Sequence, residues 1–398
     1  MQELNLRLKK AAVKKYKSGY PLIEKEDILN LESLNKEGLV VNLVDSSDNF
    51  IAKGYYGRQN KGYGWVLSLK RSVNFDKEFF KSKIKNAIAF REEFFKSEDT
   101  NAFRLFNGEG DGVGGLSIDY YNGYLVVTWY SIGIYSFRDA IIDAIKESID
   151  FKGIYQKRRF DSKGQYVEGQ SDYLLGKKAP KPLIVKENGV NFAVYLDDGA
   201  MVGVFLDQKV VRKTLKDKYA KGKTVLNTFS YTGAFSVYCA LGGAKSTTSV
   251  DLAKRSLPKT AEQFEVNGID ANSQNIVVQD VFDYFKYALR KELKFDIVIA
   301  DPPSFARSKK HKFSVAKDYK NLLKDLIKLT NKGGIIVAST NHAGLSVEKF
   351  KAQIDKAFSE SALKYKIVEE FRLPKDFKYH KKLPLSNYLK VFFIKVGS

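Results

Sequence analysis

A carboxylate, two prolines and an aromatic ring follow directly on an apolar stretch of the chain. Residues 295–300 read Phe-Asp-Ile-Val-Ile-Ala, a pattern typical of a buried strand. The residues that follow are Asp301, Pro302, Pro303, Ser304 and Phe305. Two successive prolines stop a strand, so the carboxylate and the ring are expected at its carboxyl end, the edge where open parallel sheets bind ligands. The segment therefore predicts a rigid rim for a flat substrate rather than an ordinary turn between core elements.

Three earlier segments share the pattern of a short strand that ends in polar residues. They are residues 224–226 followed by the loop 227–233, residues 247–250 followed by Asp251, and residues 276–278 followed by Gln279 and Asp280. The loop leads into a helix that Gly242 and Gly243 close. Asp251 stands at roughly the distance along the chain at which an acid meets a ribose hydroxyl in βαβ nucleotide sites. Repetition of strand, polar end and helix predicts a doubly wound α/β domain.

The loop after the first of these strands narrows the choice of nucleoside. It contains Gly233 but no G-x-G-x-x-G, so its backbone is not shaped for the close approach of a pyrophosphate, which disfavours a dinucleotide. The chain also lacks a G-x-x-x-x-G-K-[ST] loop, which disfavours ATP and GTP. A nucleoside without phosphates, held by one acid at its ribose and a second polar group at its base, favours S-adenosylmethionine.

Several motifs follow one another in an order that is specific as a set. In the second half they are residues 205–209 (Phe-Leu-Asp-Gln-Lys), 227–233 (Asn-Thr-Phe-Ser-Tyr-Thr-Gly), 249–251 (Ser-Val-Asp) and 301–305 (Asp-Pro-Pro-Ser-Phe). This series resembles the bacterial 23S ribosomal RNA methyltransferases that carry an N-terminal PUA domain. Residues 50–56 resemble a PUA strand and turn, and residues 108–116 resemble the glycine-rich hairpin of that family's middle domain. The resemblance covers essentially the whole chain.

The resemblance implies an α/β fold with three domains. Residues 1–73 are expected to form a small β-barrel PUA domain that binds RNA, consistent with their short β-like runs separated by turn residues. Residues 74–188 are expected to form a linking helix and an α+β middle domain of EEHEE type. Residues 189–398 are expected to form the Rossmann-like class I methyltransferase domain.

Composition agrees with a polyanionic partner. The chain has 398 residues with 67 Lys and Arg against 46 Asp and Glu, a formal net charge of +21. No apolar stretch reaches the roughly 18 residues of a membrane-spanning helix, and no signal-peptide pattern opens the chain. A single cysteine excludes an intramolecular disulfide framework. We therefore expect a cytoplasmic protein without a membrane partner.

The resemblance also implies roles at the cofactor and at the target base. Asp251 is expected to bind the ribose hydroxyls of S-adenosylmethionine, Asp280 the adenine amino group, and residues 229–233 the methionine end. Lys209 stands where the family commonly has arginine, which puts a bidentate contact there in doubt. The full cofactor set is Gln208, Lys209, Asn227, Phe229, Ser230, Tyr231, Thr232, Gly233, Asp251, Asp280 and Asp301. The catalytic set is Asp301, Pro302, Pro303, Phe305 and Asn341. No metal is expected.

Within the catalytic set, Asp301 is expected to lie between the methyl donor and the target base. Phe305 or Asn341 is expected to orient that base. For Asp207 we favour a loop or capping role, and for His342 a positioning or surface role.

The acceptor atom is argued from a missing thiol. Methylation of a pyrimidine at carbon 5 needs a nucleophile at carbon 6, and many members of the family place a cysteine just after the strand that follows the Asp-Pro-Pro segment. Here residues 334–338 are that strand, and Ser-Thr-Asn-His-Ala-Gly follows. The only cysteine, Cys239, lies in an apolar helix and is expected to be buried and inert.

Guanine N7 has a free lone pair and no proton to remove, so alignment with the donor suffices. Methylation at N7 to give 7-methylguanosine, with S-adenosylhomocysteine as product, is therefore the predicted activity. An exocyclic amine of a flipped base, which the Asp-Pro-Pro segment could face, is the second prediction. Cytosine carbon 5 stays as a third.

Basic residues mark where RNA is expected to lie. The predicted RNA-binding residues are Lys157, Arg158, Arg159, Arg307, Lys309 and Lys310. A lysine-rich stretch at residues 9–17 fits RNA contact and a solvated helix face equally well. The expected partner is 23S ribosomal RNA or a large-subunit precursor particle, with a homodimer left open. A non-catalytic RNA-binding assembly protein and a DNA-modifying enzyme remain alternatives.

Overall fold

The computed structural model describes residues 3–59, 62–160, 172–199, 201–307 and 311–397, with only the backbone given at residue 307. The chain divides into two compact units. The first comprises Met1–Lys186, Val194–Val202 and Lys375–Ser386, and the second comprises Glu187–Ala193, Gly203–Pro374 and Asn387–Ser398. We call residues 375–386 the return segment, because there the chain goes back to the first unit. Lys309 and Lys310 lie outside the described residues.

The first unit begins with a five-stranded sheet of order β1-β3-β4-β5-β2. Its strands are β1 (Glu3–Arg7), β2 (Leu22–Ile23), β3 (Val40–Val44), β4 (Phe50–Gln59) and β5 (Gly62–Ser68). Helix α1 (Lys10–Lys17) buries Ala12 and Tyr16, while most of its lysines stay exposed. Lys15 is the partly buried lysine of this helix, and its ammonium pairs with Glu24 and Asp27. The β-rich character predicted for this part of the chain is confirmed.

Two helices then lead into a second sheet of the first unit. Helix α2 (Lys77–Phe90) begins at Asp76, whose carboxylate accepts the backbone N–H of Phe79, and helix α3 (Glu92–Phe95) follows. The second sheet has the order β10-β9-β8-β7-β6. Its strands and helices are β6 (Ala102–Asn107), β7 (Leu116–Tyr121), β8 (Tyr124–Trp129), α4 (Ile132–Tyr135), α5 (Arg138–Lys146), β9 (Gly153–Arg158) and β10 (Tyr173–Gly176). Strands β11 (Leu183–Glu187) and β12 (Val190–Val194) pair where the chain leaves this unit.

The second unit is built on a seven-stranded sheet of order β15-β14-β13-β16-β19-β21-β20. Its strands are β13 (Thr224–Thr228), β14 (Ser246–Asp251), β15 (Asn275–Val278), β16 (Phe295–Ala300), β19 (Thr330–Thr340), β20 (Tyr365–Phe371) and β21 (Lys390–Val396), with a separate short pair, β17 (Phe305–Arg307) and β18 (Lys312–Ser314). Its helices are α6 (Lys209–Thr214), α7 (Ala234–Leu241), α8 (Ser256–Glu265), α9 (Val281–Arg290), α10 (Val315–Leu329) and α11 (Val347–Glu360). The predicted doubly wound α/β domain is confirmed.

Strand direction explains where the polar residues gather. Strands β13, β14, β15, β16 and β19 pair in parallel, so their carboxyl ends share one edge of the sheet. Strand β19 continues two residues beyond the predicted end at residue 338, because Ser339 and Thr340 pair with Val391 and Lys390 of antiparallel β21. The chain therefore leaves the strand at Asn341, whereas the predicted strand ends before Ser339. The side chains of Ser339 and Thr340 are both fully buried.

A buried ion pair fixes the entry to the second unit. The Arg212 guanidinium, on α6, donates to Glu187 Oε1 at 2.7 and 3.0 Å and to the carbonyl of Phe205 at 2.8 Å. The hydroxyl of Tyr238 donates to the same carboxylate at 3.0 Å. Both charged side chains are essentially inaccessible. The pair thus sets the position of the short turn that carries Gln208.

We expect Arg212→Met to lower the free energy of unfolding by about 3–5 kcal/mol, since it leaves the Glu187 carboxylate buried without its cation. Urea titration monitored by circular dichroism measures this loss. The matched control is the double variant Arg212→Met with Glu187→Leu, which removes both charges and is expected to recover most of the stability. A single variant as stable as the wild type contradicts the assignment of a structural ion pair.

No helix in the described part of the chain is long and apolar enough to cross a membrane.

Candidate active site

The loop after β13 holds three residues in the left-handed region of backbone space. Phe229, Tyr231 and Gly233 have φ values of 56°, 53° and 75°. Only glycine adopts this region without a steric cost, so the two aromatic residues store strain that the surrounding contacts must hold. A Cβ atom at Gly233 would lie 2.4 Å from Cγ2 of Thr260, so α8 approaches closely here. Gly233 is therefore required both by its backbone angle and by its neighbour.

Two acids at neighbouring strand ends are fixed by backbone amides. Asp251 accepts the N–H of Tyr231 and the N–H of Ala253, each at 2.9 Å. Asp280 caps helix α9 by accepting the N–H groups of Phe282 and Asp283. Each carboxylate keeps lone pairs for a ligand, because a carboxylate offers about four acceptor positions. The roles predicted for them at ribose and adenine remain predictions.

Gln208 joins Asp301 to Ser339, near the end of the neighbouring strand β19. The Gln208 amide nitrogen donates to Asp301 Oδ2 at 3.1 Å and to the hydroxyl oxygen of Ser339 at 2.8 Å. Burial, together with the negative charge of Asp207, raises the pKa of the Asp301 carboxyl to about 6, although hydrogen bonds from Ser339 and Gln208 oppose the shift. Asp301 is thus a partly buried carboxylate that takes up a proton more readily than an ordinary aspartate.

The side-chain oxygen of Gln208, Oε1, accepts no hydrogen bond from the described residues. The side chain is 2% exposed. A buried carbonyl oxygen without a donor costs roughly 1–3 kcal/mol. A ligand that carries an N–H donor would remove this cost. The ammonium of the methionine portion of S-adenosylmethionine is a donor of that kind.

The rim of the site carries the exposed aromatic ring. Pro302 is buried and Pro303 is exposed. Phe305 is 70% exposed, and its ring meets that of His342 edge to face at 6.1 Å between centroids. The Ser304 hydroxyl donates to Oδ1 of Asn341 at 3.1 Å. The structure therefore brings Asp301, Phe305 and Asn341 to one edge of the sheet, with a ring face available for stacking.

Sequence reasoning missed a buried lysine behind this rim. Lys390 is 2% exposed, and its ammonium donates to the carbonyls of His342 at 3.0 Å and Tyr388 at 2.7 Å. Burial lowers the pKa of its ammonium to about 8. Tyr388 in turn donates to Asp207 Oδ2 at 3.0 Å. Lysine is rarely buried, so composition and periodicity give no signal for such a contact.

Cys239 is buried as predicted. Its side chain is inaccessible within α7, and burial raises the pKa of the thiol to about 12. A thiol that holds its proton at neutral pH is a poor nucleophile. The expectation of a buried cysteine is confirmed, and its inertness stays a prediction.

Other predicted cofactor residues make contacts within the protein. Asn227 donates to Ser236 Oγ at 3.0 Å inside the core, and the Thr232 hydroxyl donates to the carbonyl of Gly203 at 2.6 Å. Ser230 donates its backbone N–H to Val250, and Lys209 is buried at the start of α6. These residues shape the loop and its surroundings. Their direct contact with a cofactor remains a prediction.

The basic residues predicted to bind RNA differ in accessibility. Lys157 is 2% exposed and pairs with Asp172, while its ammonium also donates to the carbonyl of Gly199 at 2.7 Å. Arg158 and Arg159 are partly exposed. Contact between Lys157 and a phosphate would have to displace a buried ion pair. The RNA contacts of all three remain predictions.

These features fit S-adenosylmethionine. The strained loop, the two acids at successive strand ends and the unsatisfied Gln208 oxygen lie at the carboxyl ends of the parallel strands of one sheet. A loop without a diphosphate cradle and with an acid at β14 suits a nucleoside that carries a positively charged tail.

Comparison with known proteins agrees with this fit. The family model described as S-adenosylmethionine-dependent methyltransferase matches residues 104–381, and that of a PUA-like domain matches residues 6–69. The crystal structure of SMU.776, "a putative methyltransferase complexed with SAH", superposes with a TM-score of 0.91 at 42% identity, over 99% of this chain and 100% of that chain. The chain is therefore a class I S-adenosylmethionine-dependent methyltransferase, and S-adenosylmethionine is its cofactor.

Curated relatives identify the family within this class. "Putative ribosomal RNA large subunit methyltransferase YwbD" of Bacillus subtilis is 56% identical over 391 residues, which is 98% of each chain. "Ribosomal RNA large subunit methyltransferase I" of Klebsiella pneumoniae is 28% identical over 378 residues, which is 95% of this chain and 94% of that protein. The chain belongs to this family of PUA-containing methyltransferases. The resemblance found in its motifs is confirmed.

Proposed function

We propose that this protein methylates N7 of a guanine in large-subunit ribosomal RNA, without a covalent enzyme–base adduct. The choice of N7 as the acceptor atom rests on the lack of a nucleophilic thiol at the site. The chain's single thiol, Cys239, is buried in α7 with a pKa raised to about 12, and Thr340 and Asn341 occupy the end of β19 where a nucleophilic cysteine is expected. The names of the curated relatives and the net charge of +21 support ribosomal RNA as the substrate.

Each residue of the site has a separate role in the proposed reaction. Bound S-adenosylmethionine supplies a methyl group on a positively charged sulfur. Phe305 stacks on the flipped guanine, and Asn341, held by Ser304, orients its edge. Asp301 faces the positive charge that N7 methylation places on the purine ring and stabilises it electrostatically. No residue has to remove a proton, because N7 carries none.

An exocyclic amine is the second candidate, and the raised pKa of Asp301 is the observation that favours it. A carboxylate with a pKa of about 6 accepts a proton more readily than an ordinary aspartate. Such a reaction would give a base methylated on its exocyclic amine instead of a charged purine. Retention in chromatography separates the two products even where the amine is that of guanine and their masses are equal.

The test incubates the purified protein with unmethylated large-subunit ribosomal RNA and S-adenosylmethionine, then analyses the nucleosides by mass spectrometry. We expect 7-methylguanosine as the new nucleoside. The control variant Cys239→Ala, which has no thiol at all, is expected to form it at the wild-type rate. If 5-methylcytidine is the only new nucleoside, or Cys239→Ala is inactive although folded, the proposal is wrong. A nucleoside methylated on its exocyclic amine establishes the second candidate.

A further inference from the structure

The return segment of the first unit has buried anchors at both ends and an exposed basic stretch between them. Phe377 and Leu383 are 2% and 1% exposed. Between them Tyr379 is 43% exposed, and Lys381 and Lys382 are exposed as well. Neither of these lysines has an ion pair among the described residues. The segment thus presents one aromatic ring and two uncompensated cations to solvent.

Buried charges of the first unit hold the backbone of this segment. Arg91, whose side chain is inaccessible, binds the Asp111 carboxylate at 2.7 and 3.1 Å and donates to the carbonyl of Asp376 at 2.7 and 2.9 Å. The Asp376 carboxylate accepts the N–H of Arg104 at 2.9 Å. The ring of Phe377 lies 4.5 Å from the Arg104 guanidinium. These contacts fix the backbone of the return segment, so it is preorganised like a binding loop on a rigid scaffold.

The glycine-rich hairpin of residues 108–116 packs directly against the return segment. A Cβ atom at Gly110 would lie 1.8 Å from the carbonyl oxygen of Lys378, a separation that no side chain tolerates. The Asn107 side chain donates to that same carbonyl at 2.9 Å. Gly110 therefore lets the return segment lie directly on the hairpin. The far side of the turn is closed by Ser386, whose hydroxyl accepts the N–H of His380 at 2.9 Å.

The basic stretch continues onto the N-terminal sheet. A Cβ atom at Gly19 would lie 3.7 Å from Leu69 and 3.8 Å from the ammonium of Lys382, so these three residues share a surface. Lys70 and Arg71, next to Leu69 in the chain, are exposed, and so is Lys17, close before Gly19. Cations from three separate chain segments thus lie near one surface.

We propose that the return segment is an RNA-binding surface, in which Lys381 and Lys382 contact phosphates and Tyr379 stacks on an unpaired base. Single-stranded RNA is bound by this combination of cations and aromatic faces. This surface would be the place where the first unit binds the substrate of the proposed function. The proposal therefore rests on RNA being that substrate. It does not depend on which atom is methylated.

The first test reverses both lysine charges, Lys381→Glu with Lys382→Glu, in the full chain. Binding of a fluorescein-labelled oligouridylate is followed by anisotropy over a series of salt concentrations. We expect affinity to fall about tenfold or more, and the slope of log K against log salt to become shallower by about 1.4, as for two lost phosphate contacts on a single strand.

The matched control is Lys245→Glu with Lys332→Glu, which makes the same change in charge. Both lysines are exposed. Lys245 directly precedes β14 and Lys332 is the third residue of β19, so both lie at the amino ends of these strands, at the edge opposite the active site. The control is expected to keep near-wild-type affinity. If the return-segment variant binds as tightly as this control, the proposal is overturned.

Tyr379→Ala separates stacking from charge. We expect its RNA affinity to fall about fivefold to a hundredfold with no change in the salt slope. Titration with S-adenosylhomocysteine is expected to give the wild-type affinity for both return-segment variants, which shows that they are folded. If the wild type binds RNA through this surface but methylates none, the proposed function fails while this inference stands. Unchanged RNA affinity of Tyr379→Ala contradicts the stacking role.

Discussion

Asp301→Ala is expected to lower the rate of methyl transfer by roughly a hundredfold or more, a loss typical for removal of one preorganised electrostatic group. The carboxylate lies at the carboxyl end of β16, and Gln208 holds it at 3.1 Å. In the proposed reaction its charge compensates the positive charge that passes onto the target base. Single-turnover incorporation of labelled methyl groups into large-subunit ribosomal RNA measures the rate. Affinity for RNA, measured in parallel, is expected to stay near that of the wild type.

The matched variant is Asp301→Asn, which keeps the shape and the acceptor for Gln208 but removes the charge. If charge is the contribution of Asp301, this variant loses nearly as much activity as Asp301→Ala. Since the pKa of the carboxyl is raised to about 6, the wild-type rate should fall below about pH 6 as the carboxylate is protonated. The residual rate of Asp301→Asn should not follow this titration. Wild-type activity in Asp301→Asn would show that charge plays no part.

The same pKa shift predicts a gain in stability from Asp301→Asn. In the unfolded chain the carboxyl titrates near its ordinary pKa of 3.8, whereas in the folded protein it titrates at about 6. Burial of the ionised form therefore costs stability, fully above about pH 6 and progressively less as the pH falls towards 4. We expect the variant to be more stable near neutral pH by about 1–3 kcal/mol, with the difference vanishing at acid pH. Thermal denaturation at both pH values measures it.

The repeated order of strand, polar residues and helix made the catalytic fold predictable from sequence. Strands β13 and β14 end in a polar residue, and polar residues follow β15 and β16 directly, a pattern typical of the ligand edge of a sheet. Their parallel pairing then brings Asp251, Asp280 and Asp301 to one edge without further information. No element was predicted beyond residue 344, so α11, β20 and β21, which follow no motif, were missed.

Contacts between residues far apart in the chain could not be predicted from the sequence. Asp207 reads as a loop residue, yet it accepts the hydroxyl of Tyr388, 181 positions away, and its charge raises the pKa of Asp301. Lys390 reads as a surface cation, yet pairing of β21 with β19 buries it beneath the turn at His342. Such contacts are set by tertiary structure, which overrides the usual exposure of lysine. The same holds for the return segment, whose anchor Arg91 is distant in sequence.

Gly233→Ala is expected to weaken binding of S-adenosylhomocysteine about tenfold or more. The backbone at Gly233 has φ 75°, which costs a residue with a Cβ atom about 1–2 kcal/mol. The new Cβ would also lie 2.4 Å from Cγ2 of Thr260, which is fully buried and cannot withdraw freely. The loop must then shift, and with it the N–H of Tyr231 that holds Asp251. Isothermal titration calorimetry on the purified variant measures the loss.

Glycine at the other end of the same helix supplies the control for this prediction. Gly243 has φ 81°, but a Cβ there would meet only Lys221, at 3.7 Å. Gly243→Ala therefore has a similar backbone cost without the clash, and we expect it to bind the cofactor product normally at a slightly lower melting temperature. Adding Thr260→Ser to Gly233→Ala removes the clashing methyl group and should restore part of the affinity. Equal affinities for Gly233→Ala and Gly243→Ala would show that the loop does not hold the cofactor.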